Sequence, residues 1–160
     1  MTTIRPATSN DIPQITKIWN HYICNTTITF NATPKTDDDV AATLTQKAQA
    51  NEPFFVTDTV SGFATYGPFR NGIGYAKVKE HTILIAPNAR QNGLGRSLMA
   101  ALLDHGKQHN IQSLFAGINA SNAPAIAFHQ AQGFENITTI AEIGWKFDQW
   151  HDLVLMRKQL

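Results

Sequence analysis

The sequence predicts an α/β fold, a mixed central sheet with helices on both faces. Two observations carry this: β-type apolar runs alternate with amphipathic helical segments in the order βααβββαβαββ, and no repeat or Pro/Gly/Ser-rich linker divides the chain. A length of 160 residues then fits one domain over 1–160, large enough for a core without disulfides or metals.

Thr3 to Ala7 reads as a short opening strand. Ser9 or Asn10 then caps a helix with Ile12, Ile15, Ile18, Trp19, Tyr22 and Ile23 on one face. Thr36 and Asp39 form a capping box for a second helix, with Val40, Leu44 and Ala48 on its buried side. Pro53 to Asp58 and Gly62 to Tyr66 are apolar runs across a short polar turn, hence a hairpin. A further strand runs from about Tyr75 to Ile85 and stops at Pro87. A glycine-bearing turn leads into a helix with Leu94, Leu98, Ala101, Leu102 and His105 along one face. Ser113 to Ile118 is a strand, Ala123 to Gln132 a short helix, and Asn136 to Met156 a closing pair of strands.

Composition excludes several classes of function. The formal net charge is +1 with no Lys/Arg-rich run, so the footprint of a nucleic-acid binder is missing. The lone Cys24 cannot form an intrachain disulfide, which favours a reducing, cytoplasmic setting. No stretch has the apolar length of a membrane span. His105 and His109 have the helical spacing of a zinc pair, but Gly106 stands where a general-base glutamate belongs and no other ligand cluster is evident. The expectation is no metal.

The strongest local signal is Arg90-Gln91-Asn92-Gly93-Leu94-Gly95, between a strand and an amphipathic helix. A diphosphate needs convergent N–H donors, and a helix N-terminus supplies them with a favourable dipole. Glycines at 93 and 95 let the backbone come close and adopt conformations closed to other residues, while Arg90 and Arg96 add charge. The spacings of the P-loop and of the dinucleotide fingerprint are both absent. A glycine-bearing turn without a ligand is the plain alternative.

Placed past mid-chain, this turn resembles the Arg/Gln-x-x-Gly-x-Gly/Ala motif of the GCN5-related N-acetyltransferase (GNAT) superfamily. Ile4-Arg5-Pro6-Ala7 with Asp11, and Asn122 with Ala131-Gln132-Gly133-Phe134, resemble its opening and closing motifs. Nearly the whole chain is similar to the phosphinothricin and methionine sulfoximine acetyltransferases. The matches are Asn20-His21-Tyr22-Ile23, Thr29-Phe30, Gly67-Pro68-Phe69-Arg70, Tyr75, Glu80, Gly144-Trp145-Lys146-Phe147 and Trp150-His151-Asp152. The resemblance implies the GNAT fold, with a mostly antiparallel sheet, and acetylation by acetyl-CoA of the α-amine of a small amino acid or analogue. It also implies a homodimer.

The resemblance further implies site residues. Glu80 is the general base, where the residues alone favour a surface strand carboxylate, the commoner fate of a glutamate. His129 is an acid toward the coenzyme A sulfur or a second base. Acetyl-CoA contacts fall on Ile83, Leu84 and Ile85, whose strand should splay from its neighbour, and on Arg90, Gln91, Asn92, Gly93, Leu94, Gly95, Arg96 and Ser97. Asn122 serves as helix cap, cofactor contact or both. Phe30, Arg70, Tyr75, Glu80 and Thr82 form the acceptor pocket, with Arg70 as its charged anchor. Two departures keep the acceptor open: Gly72 where the family carries a second basic residue, and Leu84 where it tends to have tyrosine. Acetylation of another small amine or a peptide N-terminus is one alternative. A non-catalytic acyl-CoA-binding module is the other.

Overall fold

A computed structural model describes residues 2–90 and 93–160, so Gln91 and Asn92 of the expected phosphate turn lie outside the described residues. Elements follow the expected order: β1 (Ile4–Pro6), α1 (Ile12–Asn25), α2 (Asp37–Gln49), β2 (Phe54–Thr57), β3 (Gly62–Pro68), β4 (Val78–Ile85), α3 (Leu94–Gln108), β5 (Ser113–Asn119), α4 (Ala123–Ala131), β6 (Glu135–Lys146) and β7 (Gln149–Gln159). The seven strands form one sheet in the order β1-β2-β3-β4-β5-β7-β6. Only β4 and β5 run parallel, because the α3 crossover joins them; every other neighbouring pair is antiparallel.

The period-two alternation of β3 separates two cores. Phe63 faces α1 and α2, packing with Ile15, Ile18, Tyr22, Val40, Phe54, Val56 and Leu84. Ala64 and Tyr66 face the opposite way, onto Leu98, Met99 and Leu102 of α3, with Ala125, Ile126 and Phe128 of α4 against the same cluster. Helices therefore cover both faces of the sheet.

Local chemistry departs from expectation at three places. The entry to α1 is organised by Thr8 and Asp11 rather than by Ser9 or Asn10. The Thr8 N–H and hydroxyl both donate to Asp11 Oδ2, at 2.7 and 3.0 Å, and Arg5 grips the same carboxylate bidentately at 2.8 and 2.9 Å. That grip is legible only once β1 lies beside the helix entry. In α2 the Thr36–Asp39 capping box forms as expected, but Ala48 is exposed, because only the first half of the helix turns its apolar side to the core. Tyr75 belongs to a short 3₁₀ turn, Ile73–Tyr75, and β4 begins at Val78, where pairing with β5 becomes possible.

No helix among the described residues is long and apolar enough to cross a membrane.

Candidate active site

The site begins where two strands part. Pairing of β4 with β5 runs only from Val78↔Ser113 to Glu80↔Phe115, although both strands continue. Beyond Glu80, the residues Ile83, Leu84 and Ile85 pair on one side only, with Ala64, Phe63 and Gly62 of β3. The ladder groups facing β5 are thereby freed for a ligand. Leu84, at the position of the family's tyrosine, is buried in the cluster under α1.

A groove of about 760 Å³ opens from this splay to the start of α3, lined by Ile83, Leu84, Ile85, Arg90, Gly93, Leu94, Gly95, Arg96 and Asn122. Gly93 is the left-handed N-cap of α3 at φ 72°, with nothing within 4 Å of where a Cβ would stand, so backbone conformation alone demands glycine there. Gly95 lines the groove without needing the left-handed backbone of Gly93. It has no positive φ, and a Cβ there would meet the Phe128 ring at 3.4 Å, about van der Waals contact. The Ser97 amide donates to Gly93 O at 3.2 Å, whereas the amides of Leu94, Gly95 and Arg96 have no acceptor among the described residues. Ser97 does not line the groove; its hydroxyl lies 3.4 Å from the same Gly93 carbonyl.

Arg90 is held by a residue that sequence reasoning assigned only to the core. Its guanidinium donates to Tyr22 Oη at 3.0 Å, and that hydroxyl donates to Ile85 O. Tyr22 thus ties α1, the end of β4 and Arg90 together.

A second cleft, of about 440 Å³, adjoins the groove and shares Ile28, Ile83, Leu84, Asn122, Ala125 and His129 with it. It contains Glu80, Thr82 and Phe30. The half-buried Glu80 carboxylate has no hydrogen-bond or ion-pair partner among the described residues, and burial pushes its pKa above the usual glutamate value. Phe30 stacks on His151 with ring centroids 5.6 Å apart and presses against Gly144. The adjacent Thr29 carbonyl accepts from the buried Lys146 Nζ at 2.8 Å, which fixes this wall from β6.

Arg70 and Tyr75 are not brought to this cleft. Both are exposed, with the Arg70 guanidinium 5.4 Å from the Tyr75 ring centroid. The cation lining the cleft is Lys35, held 4.5 Å over the Trp19 ring. Its backbone is clamped by the Asn20 side chain, which donates to Lys35 O and accepts from Lys35 N–H, each at 2.8 Å. The chain between Phe30 and Thr36 reads as an ordinary polar loop, so nothing local identified Lys35.

Asn122 caps α4, accepting from the Ala125 amide at 3.3 Å, and also lines both cavities. His129, on the last turn of α4, is buried and meets His81 of β4, a histidine that sequence reasoning passed over. His105 Nδ1 hydrogen-bonds the Tyr66 hydroxyl at 2.7 Å, and its ring stacks on His109 at 3.9 Å. No group of three or more His, Cys, Asp or Glu residues able to hold a metal ion occurs among the described residues.

Residues 15–134 match the acetyltransferase (GNAT) family. The chain belongs to that family. It is 31% identical to an L-methionine sulfoximine/L-methionine sulfone acetyltransferase of Salmonella typhimurium, over 99% of this chain and 94% of that protein. The crystal structure of a ribosomal-protein-alanine N-acetyltransferase from Brucella melitensis superposes with a TM-score of 0.97 at 37% identity, covering 99% of each chain. A phosphinothricin acetyltransferase from Sinorhizobium meliloti, in complex with acetyl-CoA, superposes with a TM-score of 0.94 at 27% identity, over 99% of this chain and 88% of that one. The protein is a GNAT N-acetyltransferase that uses acetyl-CoA. The splayed strand, the left-handed Gly93 and the open helix start fit that cosubstrate: a backbone edge for the pantetheine arm and converging amides for the diphosphate.

Proposed function

We propose that this GNAT enzyme acetylates the α-amino group of a small amino acid or an analogue such as methionine sulfoximine or phosphinothricin. The observation that carries the reading is the uncompensated Glu80 carboxylate in a cleft that opens onto the groove. An α-amine arrives mostly as ammonium and must lose a proton before it can attack. A carboxylate with a raised pKa is a stronger base than an ordinary one, and Glu80 takes that proton. Acetyl-CoA supplies the activated acyl group as a thioester. The amine nitrogen adds to the thioester carbonyl, a freed N–H of the Ile83 to Ile85 segment stabilises the oxyanion so formed, and the C–S bond then breaks to release coenzyme A as its thiolate.

Leu94, Gly95 and Arg96 offer amides to the diphosphate, and Arg90 and Arg96 add charge. Phe30 forms the apolar wall of the acceptor site, and Lys35 is the cation available to an acceptor carboxylate. Much of the rate comes from holding both reactants in place, worth roughly 7–11 kcal/mol, against about 10²–10⁴-fold for the base. The reading includes a single domain, a cytoplasmic setting supported by the lone Cys24, and a homodimer. The exposed Trp145, Phe147 and Trp150 at the β6–β7 end supply a surface for that dimer, which sedimentation tests.

The deciding experiment is thiol release from acetyl-CoA across a panel of free amino acids, methionine sulfoximine, phosphinothricin, simple amines and peptides with N-terminal alanine. Turnover highest with the free amino acids or their analogues is expected. Preference for the peptides would move the reading to a protein N-terminus, and no release with any amine would leave an acyl-CoA-binding module.

A further inference from the structure

Two histidines from distant parts of the chain meet beside the junction of cleft and groove. His81 Nε2 and His129 Nε2 lie 3.1 Å apart, with the ring planes within 14° of parallel. Both residues are more than nine-tenths buried, at 9% and 8% exposure. A hydrogen bond between two ring nitrogens requires a proton on one and a lone pair on the other.

A second contact decides which is which. His129 Nδ1 lies 2.7 Å from the Ala125 carbonyl oxygen, and a carbonyl only accepts. His129 therefore carries its proton on Nδ1. Burial lowers its pKa, keeping the ring neutral near pH 7, so its Nε2 holds only a lone pair. His81 must then donate from its own Nε2, which leaves His81 Nδ1 bare. That nitrogen is the buried ring atom with no hydrogen-bond partner among the described residues. Burial together with the charge His129 would carry pushes His81 down to about 3, so this ring is neutral too. Every contact agrees with a single arrangement of protons.

We propose that His81 is the positioning residue for His129: it locks His129 as the Nδ1–H tautomer and closes its Nε2 with a donated hydrogen bond. The proposal rests on the reading that His129 takes part in acyl transfer, and it selects between the two roles that sequence leaves open. Resting His129 has no proton to give, since its one N–H is spent on the Ala125 carbonyl. At rest it is therefore not poised as the acid toward the departing thiolate. His129 enters turnover as an acceptor, at an Nε2 lone pair that the His81 N–H orients and must release.

The test combines spectra and kinetics on the intact enzyme. Long-range ¹⁵N–¹H correlation on histidine-labelled protein at pH 7 is expected to report Nδ1–H for His129 and Nε2–H for His81. An Nε2–H or doubly protonated His129 would overturn the proposal, independently of any variant's folding. His81→Gln retains an N–H donor near the Nε2 position and is expected to keep kcat within about threefold of wild type. His81→Leu removes the donor and is expected to lower kcat about ten- to a hundredfold at unchanged acetyl-CoA KM. Equal kcat for the two variants, with both folded, would also overturn it. Full turnover in His129→Ala would sink the underlying reading of His129, whatever tautomers the spectra report.

Discussion

Gly117 faces Glu80 so closely that a Cβ on it would stand 2.8 Å from Glu80 Oε1. The glycine of β5 is what allows the carboxylate to occupy its place beside the splay. Gly117→Ala is therefore expected to lower turnover about tenfold, through displacement of the base. The carboxylate is the end of a flexible chain, so little change is expected in melting temperature. Wild-type turnover in this variant would show that the position of Oε1 does not matter.

Glu80→Gln should reduce turnover by about 10²–10⁴-fold while acetyl-CoA affinity, measured by calorimetry, stays the same. Burial raises the Glu80 pKa above 4.5, so activity should rise with pH through a limb lying above that value. The sign for stability is opposite. A carboxyl whose folded pKa is raised binds its proton more tightly in the native state, so its ionisation weakens the fold above that pKa. Glu80→Gln should thus melt higher than wild type at pH 7, a gain in stability at the expense of function.

Gly93 and Gly95 should respond differently to alanine. At Gly93 no atom obstructs a Cβ, and the cost is the left-handed backbone, about 1–2 kcal/mol. Relief of that strain would rotate the first amides of α3, so Gly93→Ala is expected to weaken acetyl-CoA binding about tenfold. In Gly95→Ala the backbone needs no left-handed conformation and the Cβ only meets the Phe128 ring at 3.4 Å, so a smaller loss of affinity than in Gly93→Ala is expected. Equal acetyl-CoA affinity of Gly93→Ala and wild type in calorimetry would remove the phosphate role from this turn.

Lys35→Gln should raise KM about tenfold for amino-acid acceptors, as expected for loss of a charge-assisted hydrogen bond. KM for simple amines without a carboxylate should not move. Steady-state comparison of the two substrate types separates an anchoring role from a structural one.

Asp11 links β1 to the start of α1, and Arg5 with Thr8 holds its pKa at about 2 against an ordinary 3.8. A depressed carboxylate stabilises the fold above its unfolded pKa and ceases to do so as pH falls through the folded one. Asp11→Asn is expected to cost about 1–2 kcal/mol at neutral pH, with part of the charge term screened at the half-exposed Arg5. In urea titrations the difference from wild type should shrink between pH 4 and pH 2.

Periodicity and turn chemistry sufficed for the order of elements, because apolar spacing and caps such as Thr36–Asp39 act within a few residues. Glycine spacing likewise marked the start of α3, where Gly93 takes the left-handed conformation, because that is a local requirement. Resemblance along the chain pointed to Glu80 and His129, but not to what surrounds them. Only the tertiary structure decided that Lys35 rather than Arg70 lines the cleft with Glu80, that Tyr22 anchors Arg90, and that His81 meets His129. Each of those pairings joins elements far apart in sequence, and side-chain partners across a sheet or between helices leave no period in the chain. The glycine-bearing start of α3 is encoded by neighbours in sequence, whereas the side-chain pairings beside it are encoded by neighbours in space.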